Sequence, residues 1–304
     1  MISICIPIFN YDVQPLVTEL LKVMSRASIP AHIILIDDGS EKEFVEMNNQ
    51  FSPDKIRYIS LKENTGRAAV RNLFLQYTQD DWLLFLDGDT VFNSEKNSHF
   101  FQNYSNAIHE NPTAKIIVGG SYYAAQKPPL NRRLRWKYGT CKETRGSVIR
   151  SQQNAALMGN NFLIERALLE KYPFDKKIKK YGHEDTLLGI TLQNAGYSIF
   201  HIDNPVENGN LETNKEFLQK TENAIDNLLA IEKNIKNKDA LKTQVRLLSY
   251  RDHLKKNKMD QWVLKAFNLA GAPSKKLLIS GFINLRLLNF YKIGYLLKKE
   301  KSLQ

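Results

Sequence analysis

Cysteine is nearly missing: Cys5 and Cys141 are the only two in 304 residues, and their spacing fits no metal-binding pattern. That excludes a disulfide-stapled scaffold or a zinc ribbon and suits a reducing compartment. No stretch reaches the roughly 18 consecutive apolar residues of a membrane span. The opening "MISICIPIFN" lacks a basic leader and is broken by Pro7 and Asn10, so it reads as a first strand and not as a signal peptide. Internal repeats and low-complexity segments are lacking too. These features set the expectation of a cytoplasmic protein.

What is present is an ordinary hydrophobic share, 42%, in a chain long enough for about two domains, or for one large α/β domain with an appendage. The formal charge of +11 is unevenly placed. From Arg251 onward twelve Lys/Arg stand against three acids, and "KPPLNRRLRWKYGTCKETRGSVIR" (127–150) holds eight against one. Such patches suit nucleic acid, anionic lipid, phosphorylated substrate or a plain solvated surface.

"ISICIPIF" (2–9), "HIILID" (32–37), "IRYISL" (56–61), "WLLFLD" (82–87) and "KIIVGGSYY" (115–123) are strand-like, being β-branched or continuously apolar. Helical spacing runs from Val13 to Ser25 and from Arg67 to Tyr77 between them. Repeated strand–helix–strand predicts a parallel sheet flanked by helices, with ligands beyond the carboxyl ends of the strands. Asp37, Asp38 and Asp87 all fall at such ends. After about residue 210 the pattern becomes helical: 212–249 carries an amphipathic helix, "APSKK" (272–276) punctuates, and 277–297 is apolar but interrupted by Asn284, Arg286, Asn289 and Lys292.

"FLDGDTVF" delivers Asp87 and Asp89 with only Gly88 between them. A calcium loop counted from Asp87 would need Gly where Phe92 stands and a bidentate acid where Ser98 stands, so that reading fails. The stretch also fits the Asp-nucleophile motif of haloacid-dehalogenase-like phosphatases, but no Gly-Asp follows residue 89. The third reading is a clamp for Mg²⁺ or Mn²⁺, which take a few hard oxygens and leave positions for water and phosphate. Gly88 would let the backbone approach a diphosphate closely.

Five motifs occur in one order: "CIPIFNYD", "IDDGS", "NTGRAAVRN", "FLDGDTVF" and "YGHEDTLLGITLQNAG". Together they resemble the family 2 glycosyltransferases of the GT-A fold over about residues 1–210, with 211–304 as a helical, basic extension. The resemblance implies metal-dependent, inverting transfer from a UDP-sugar to a hydroxyl of a saccharide or glycolipid acceptor, in surface polysaccharide or glycan synthesis. It places Pro7, Phe9, Asn10, Asp38, Asn64, Arg67, Arg71, Asp87 and Gly88 about the donor nucleotide. Asp87 and Asp89 share the divalent cation, Mn²⁺ or Mg²⁺.

In that resemblance Asp185 is the base that takes the acceptor's proton, Glu184 orients the acceptor, and Trp136, Tyr138, Asn160 and His183 border it. Relatives with a metal-binding His on the loop after the next strand differ here: Glu207 and Asn208 occupy that place. Asn208 or Glu207 could supply the third metal ligand, His201 could stand in, or water could fill the position. Each residue has a plainer reading. Asp38 in Asp-Gly-Ser is good turn chemistry. Asn64 or Thr65 can cap the helix from Arg67, while Arg67 and Arg71, four apart, share a face that suits a phosphate or the acidic cluster equally. Glu184 and Asp185 also suit a helix start. Trp136 and Tyr138 among cations suit sugar stacking, or core packing. The basic tail, 277–304, matches either an anionic membrane surface on the cytoplasmic side or an ordinary packed helix. A basic module binding membrane or nucleic acid is the non-enzymatic alternative. It leaves the acid-lined crevice unexplained, so no nucleic acid is expected.

Overall fold

The computed structural model describes residues 1–27, 31–51, 56–152, 157–178 and 181–303. In chain order the elements begin β1 (Ile2–Ile8), α1 (Gln14–Ala27), β2 (Ala31–Asp37), α2 (Lys42–Asn48), β3 (Ile56–Ser60), α3 (Arg67–Leu73), β4 (Trp82–Leu86), β5 (Thr90–Val91) and α4 (Phe100–Glu110). They continue with β6 (Ile116–Val118), β7 (Ser121–Tyr122), α5 (Arg133–Tyr138), α6 (Ser147–Gln152), β8 (Asn161–Glu165), α7 (Arg166–Lys171), α8 (Glu184–Asn194), β9 (Phe200–His201) and β10 (Val206–Asn208). Five helices close the chain: α9 (Asn214–Asn234), α10 (Lys238–Gln244), α11 (Arg246–Lys256), α12 (Asp260–Ser280) and α13 (Leu285–Ser302).

The chain divides into two compact units: Met1–Tyr123 with Thr144–Lys179 and Glu184–Asn210, and Ala124–Glu143 with Lys180–His183 and Leu211–Gln304. The second unit takes 124–143 and 180–183 together with the residues from 211 on.

Among the described residues of the first unit, seven strands form a sheet in the order β3-β2-β1-β4-β8-β6-β9, and a smaller sheet runs β5-β10-β7. The large sheet is mainly parallel, as the strand–helix alternation predicts; β8 runs antiparallel to both β4 and β6. Period-2 alternation sends Ile2, Ile4, Ile6, Ile8, Leu84 and Leu86 to one face, against α1 and α4. Cys5, Ile34, Ile36, Leu83 and Phe85 go to the other, against α3, α7 and α8. With both faces covered, the strands read as unbroken apolar runs.

In the first unit two segments depart from the sequence reading. The expected strand 115–123 is two, because Gly120 at φ +88° turns the chain out of the large sheet after β6 and into the small one. The helix from Arg67 ends at Leu73 and tightens into a 3₁₀ turn over Phe74–Gln76.

In the second unit, α9 opens with a capping box: Thr213 Oγ1 accepts from the Glu216 backbone N–H, and the Glu216 carboxylate accepts from the Thr213 backbone N–H. "APSKK" does not punctuate; Pro273 lies inside α12. The carbonyl deprived of its donor, four residues earlier at Leu269, is on the solvent face, where water can satisfy it. The break comes instead at Gly281, φ +102°, where Phe282 N–H bonds back to Leu277 O at 3.0 Å. In α13, Leu288, Tyr291, Ile293, Leu296 and Leu297 are buried, so the apolar side of the basic tail is spent on packing. A Cβ at Gly294 would fall 2.1 Å from Phe267 Cδ2. Gly294→Ala should therefore force α12 and α13 apart and lower stability by about 1–3 kcal/mol in urea unfolding.

Candidate active site

The acids at the strand ends do different work. Asp37 is fully buried; its carboxylate accepts from Ser40 N at 2.8 Å and Tyr58 Oη at 3.0 Å. Asp38 accepts from Thr65 N and Oγ1, both at 2.7 Å, and from Gly66 N at 2.9 Å. The start of α3 is thus capped from another loop, and neither Asn64 nor Thr65 supplies the cap expected from sequence. Asn64 is exposed, its backbone pressed under Gly39, where a Cβ would meet Asn64 N at 2.7 Å.

Beyond β1, Asn10 joins the same loop by accepting from Glu41 N at 2.8 Å and donating its own N–H to Ser40 Oγ at 2.8 Å. Phe9 is exposed beside it. Pro7 falls past Cys5, the last residue of β1 paired with β4, so its missing N–H costs no bond there. Gly88 is buried: a side chain would meet Pro7 O and Val13 Cγ1, each 3.3 Å from its Cβ. The absent side chain serves the packing of β1 against the motif.

Residues 87–90 form a turn closed by Thr90 N–H to Asp87 O at 3.0 Å, with Asp89 at its third position. Asp87 is neutralised from within the protein. Arg67 Nη2 meets its Oδ2 at 2.9 Å and Arg71 Nη2 its Oδ1 at 2.9 Å. The same guanidiniums reach Glu184 Oε1, Arg67 through Nε and Arg71 through Nη1, each at 3.0 Å. Arg71 also donates to Gly159 O at 3.0 Å. The side chain of Arg71 is only 1% exposed. It holds acids from two chain segments in register, the acidic-cluster alternative that the sequence left open beside a phosphate, and the i,i+4 spacing was the visible signal.

Asp185 follows Glu184 at the start of α8. It accepts from Gly159 N at 3.1 Å and from Thr186 N at 2.7 Å. Burial, then the neighbouring Glu184 charge, push its carboxyl up to about 6, against the pull of Arg71 and Arg67. For Glu184 burial also opposes ionisation, but the two guanidiniums prevail and hold it below the usual carboxylate range. Adjacent acids are thereby split into one held ionised and one poised to exchange a proton.

The small sheet, which sequence reading missed because its strands have only two or three residues, sets Asn208 opposite Thr90. Gly209 N–H then reaches Asp89 O at 3.0 Å. Asn160 Nδ2 donates to Asn208 Oδ1 at 2.9 Å, while Asn160 Oδ1 is buried with no hydrogen-bond partner among the described residues. His201 is elsewhere: β9 lies three strand positions from β4, roughly 14 Å away at the usual spacing. Its Nδ1 faces Arg150 Nε at 3.3 Å.

Among the described residues no three His, Cys, Asp or Glu side chains are grouped to hold a metal ion. The donor set fits a different arrangement. Asp89, two residues beyond Asp87, the Asn160 amide oxygen and Asn208 opposite Thr90 are oxygen donors of the kind that suits a Mg²⁺ or Mn²⁺ ion completed by substrate phosphate and water.

Trp136, Tyr138 and His183 belong to the second unit. Trp136 Nε1 donates to Ala124 O at 2.8 Å. Tyr138 and His183 line a cavity of about 190 Å³ with Tyr181, Phe217, Lys220 and Lys292. Lys292 sits 5.0 Å from the centre of the Tyr138 ring and Lys220 5.0 Å from that of Tyr181.

Arg71→Ala would leave Glu184 and Asp87 with fewer partners in a buried setting. It should cost about 3–5 kcal/mol of unfolding free energy by chemical denaturation, well beyond the effect of a surface arginine.

A family model described as glycosyl transferase family 2 matches residues 3–173. An uncharacterized glycosyltransferase of Haemophilus influenzae is 34% identical over 98 residues, which cover 32% of this chain and 39% of that protein. The match therefore spans about two-fifths of that relative's length. A solved mannosyltransferase from Pyrobaculum calidifontis, in complex with GDP-Man and Mn²⁺, aligns with TM-score 0.61 at 15% identity, covering 99% of this chain and 86% of that one. TarS 1–349 of S. aureus, in complex with UDP-GlcNAc, aligns with TM-score 0.52 at 15% identity, covering 99% and 90%. At such identities the likeness is one of fold. The family match covers more than half of the sequence and the sheet is that of GT-A transferases: the chain belongs to glycosyltransferase family 2.

Proposed function

We propose that this glycosyltransferase carries out metal-dependent, inverting transfer from a UDP-sugar to a hydroxyl of a saccharide or glycan-lipid acceptor. The observation that carries the reading is the split pair at the start of α8, where Asp185, bonded by Gly159 N and Thr186 N, is raised toward neutrality beside Glu184, whose carboxyl two guanidiniums hold below the usual range. A base must meet an acceptor hydroxyl and hold its proton. In the reaction the acceptor oxygen bonds the sugar's anomeric carbon, the bond from that carbon to the diphosphate breaks with its electrons, and the hydroxyl proton passes to Asp185.

A divalent ion held by Asp89, with Asn160 or Asn208 as further oxygen donors, would neutralise charge gathering on the departing diphosphate. Arg67 and Arg71 fix Asp87 and Glu184 in place and keep Glu184 ionised. The aromatic and cationic cavity around Tyr138 and Tyr181 in the second unit suits a saccharide ring. Neighbours of this fold hold UDP-GlcNAc in one case and GDP-Man with Mn²⁺ in another, which supports a nucleotide-sugar donor and leaves the base to measurement.

Asp185→Asn should lower turnover of UDP-sugar to acceptor by about 10²–10⁴-fold. Wild-type kcat should fall as pH drops through about 6, because protonation removes the base, whereas an ordinary aspartate would hold activity to about pH 4. Glu184→Gln removes the like charge and should shift that acid limb downward. An unshifted limb would assign the titration to another group. In thermal melts, Mn²⁺ alone should move the midpoint little. Mn²⁺ with UDP near a hundred times its Kd should raise it by roughly 5–10 °C, and Asp89→Ala should abolish the cooperation. GDP replacing UDP in the same role would move the donor to guanosine.

A further inference from the structure

Among the described residues, fourteen large apolar side chains are exposed, and five of them fall within 259–282: Met259, Trp262, Leu269, Leu277 and Phe282. Trp262 is 70% and Leu269 83% exposed. Positions 262, 266, 269, 273 and 277 recur at spacings of three and four, so Trp262, Ala266, Leu269, Pro273 and Leu277 draw one line along α12, and all five are exposed. The line continues past the helix end: exposed Leu130 has its Cβ 3.4 Å from where a Cβ on Gly281 would stand, next to Phe282. The opposite side of α12 is already spent, with Leu264, Phe267, Gly271, Ser274 and Leu278 buried. A stripe of this kind on a folded helix is more than scattered surface leucines.

The charges around it have one sign. Lys265 and Lys276 flank the stripe, with Lys265 Nζ 5.0 Å from the Trp262 ring centre, and Lys256 and Lys258 stand exposed just before the helix. The single acid of α12, Asp260, lies half a turn round from Leu269 at 100° per residue. An apolar line with tryptophan near one end, cationic flanks and no acid on its face complements an anionic bilayer, in which such a helix lies flat with its apolar side among the acyl chains. A protein partner would need an acidic rim around an apolar strip of this length. A bilayer offers both everywhere.

We propose that the exposed face of α12, and not the α13 tail, is a docking surface for anionic membrane. Since the helix is already folded and braced by α13, docking orders nothing new. Among the described residues no helix is long and apolar enough to cross a membrane, so the contact is peripheral.

The test floats the full chain with vesicles of phosphatidylcholine alone, or with about a third phosphatidylglycerol, at low and roughly 0.5 M salt. Wild type should bind the anionic vesicles at low salt at least tenfold more tightly than the neutral ones, and lose most of that binding in salt. Leu269→Glu should lose it at least tenfold with an unchanged melting temperature, and Lys265→Glu with Lys276→Glu should mainly remove the preference for anionic lipid. Equal binding by wild type and Leu269→Glu, or no binding to anionic vesicles, overturns the proposal. A concentration-dependent dimer that Leu269→Glu dissolves, measured by light scattering, also overturns it by giving the face to a second copy.

Discussion

Arg71 is a guanidinium almost wholly removed from water, bound to Asp87 sixteen residues along the chain and to Glu184 a hundred and thirteen residues along it. Burying such an ion costs several kcal/mol unless its partners are well placed. Two carboxylates and the Gly159 carbonyl offset that cost here. Because the bonds are directional, the end of β4, the loop before β8 and the first turn of α8 must arrive together or not at all. The candidate catalytic geometry is therefore a by-product of satisfying one cation.

The count of charges then gives Asp185 its character. Arg67 and Arg71 balance Asp87 and Glu184, and among the described residues the third acid in the same low-dielectric setting, Asp185, has no ion pair of its own. Its hydrogen bonds from Gly159 and Thr186 favour the ionised form, but burial and Glu184 outweigh them. A group in that position gives up and accepts a proton near neutral pH, which is what proton removal from a hydroxyl requires. Asp89, one residue beyond Gly88, is the oxygen donor we assign to a cation arriving with phosphate.

Much of this was legible in the residues. Continuous apolar runs marked the buried strands because both sheet faces are covered, and Asp37, Asp38 and Asp87 stood where such strands end. The four-residue spacing of Arg67 and Arg71 announced a shared face. The choice between phosphate and acids was not legible, since the deciding carboxylate, Glu184, is distant in sequence. Asp38, read as a turn former or a nucleoside contact, also caps α3, a role its sequence position did not show. Strands of two residues, such as β5 and β9, carry too little pattern to be seen, so the pairing that brings Asn208 beside Thr90 and sets His201 aside was invisible.

The sequence by itself determined the fold class, the family and the list of acids, because those follow from local periodicity and from motifs in a fixed order. Only the tertiary structure decided which acids are paired, which is left to exchange a proton, and which side of the basic helices faces out. Those outcomes depend on burial and on contacts between distant segments, and a carboxylate's chemistry is set by the neighbours that folding brings to it, not by its place in the chain.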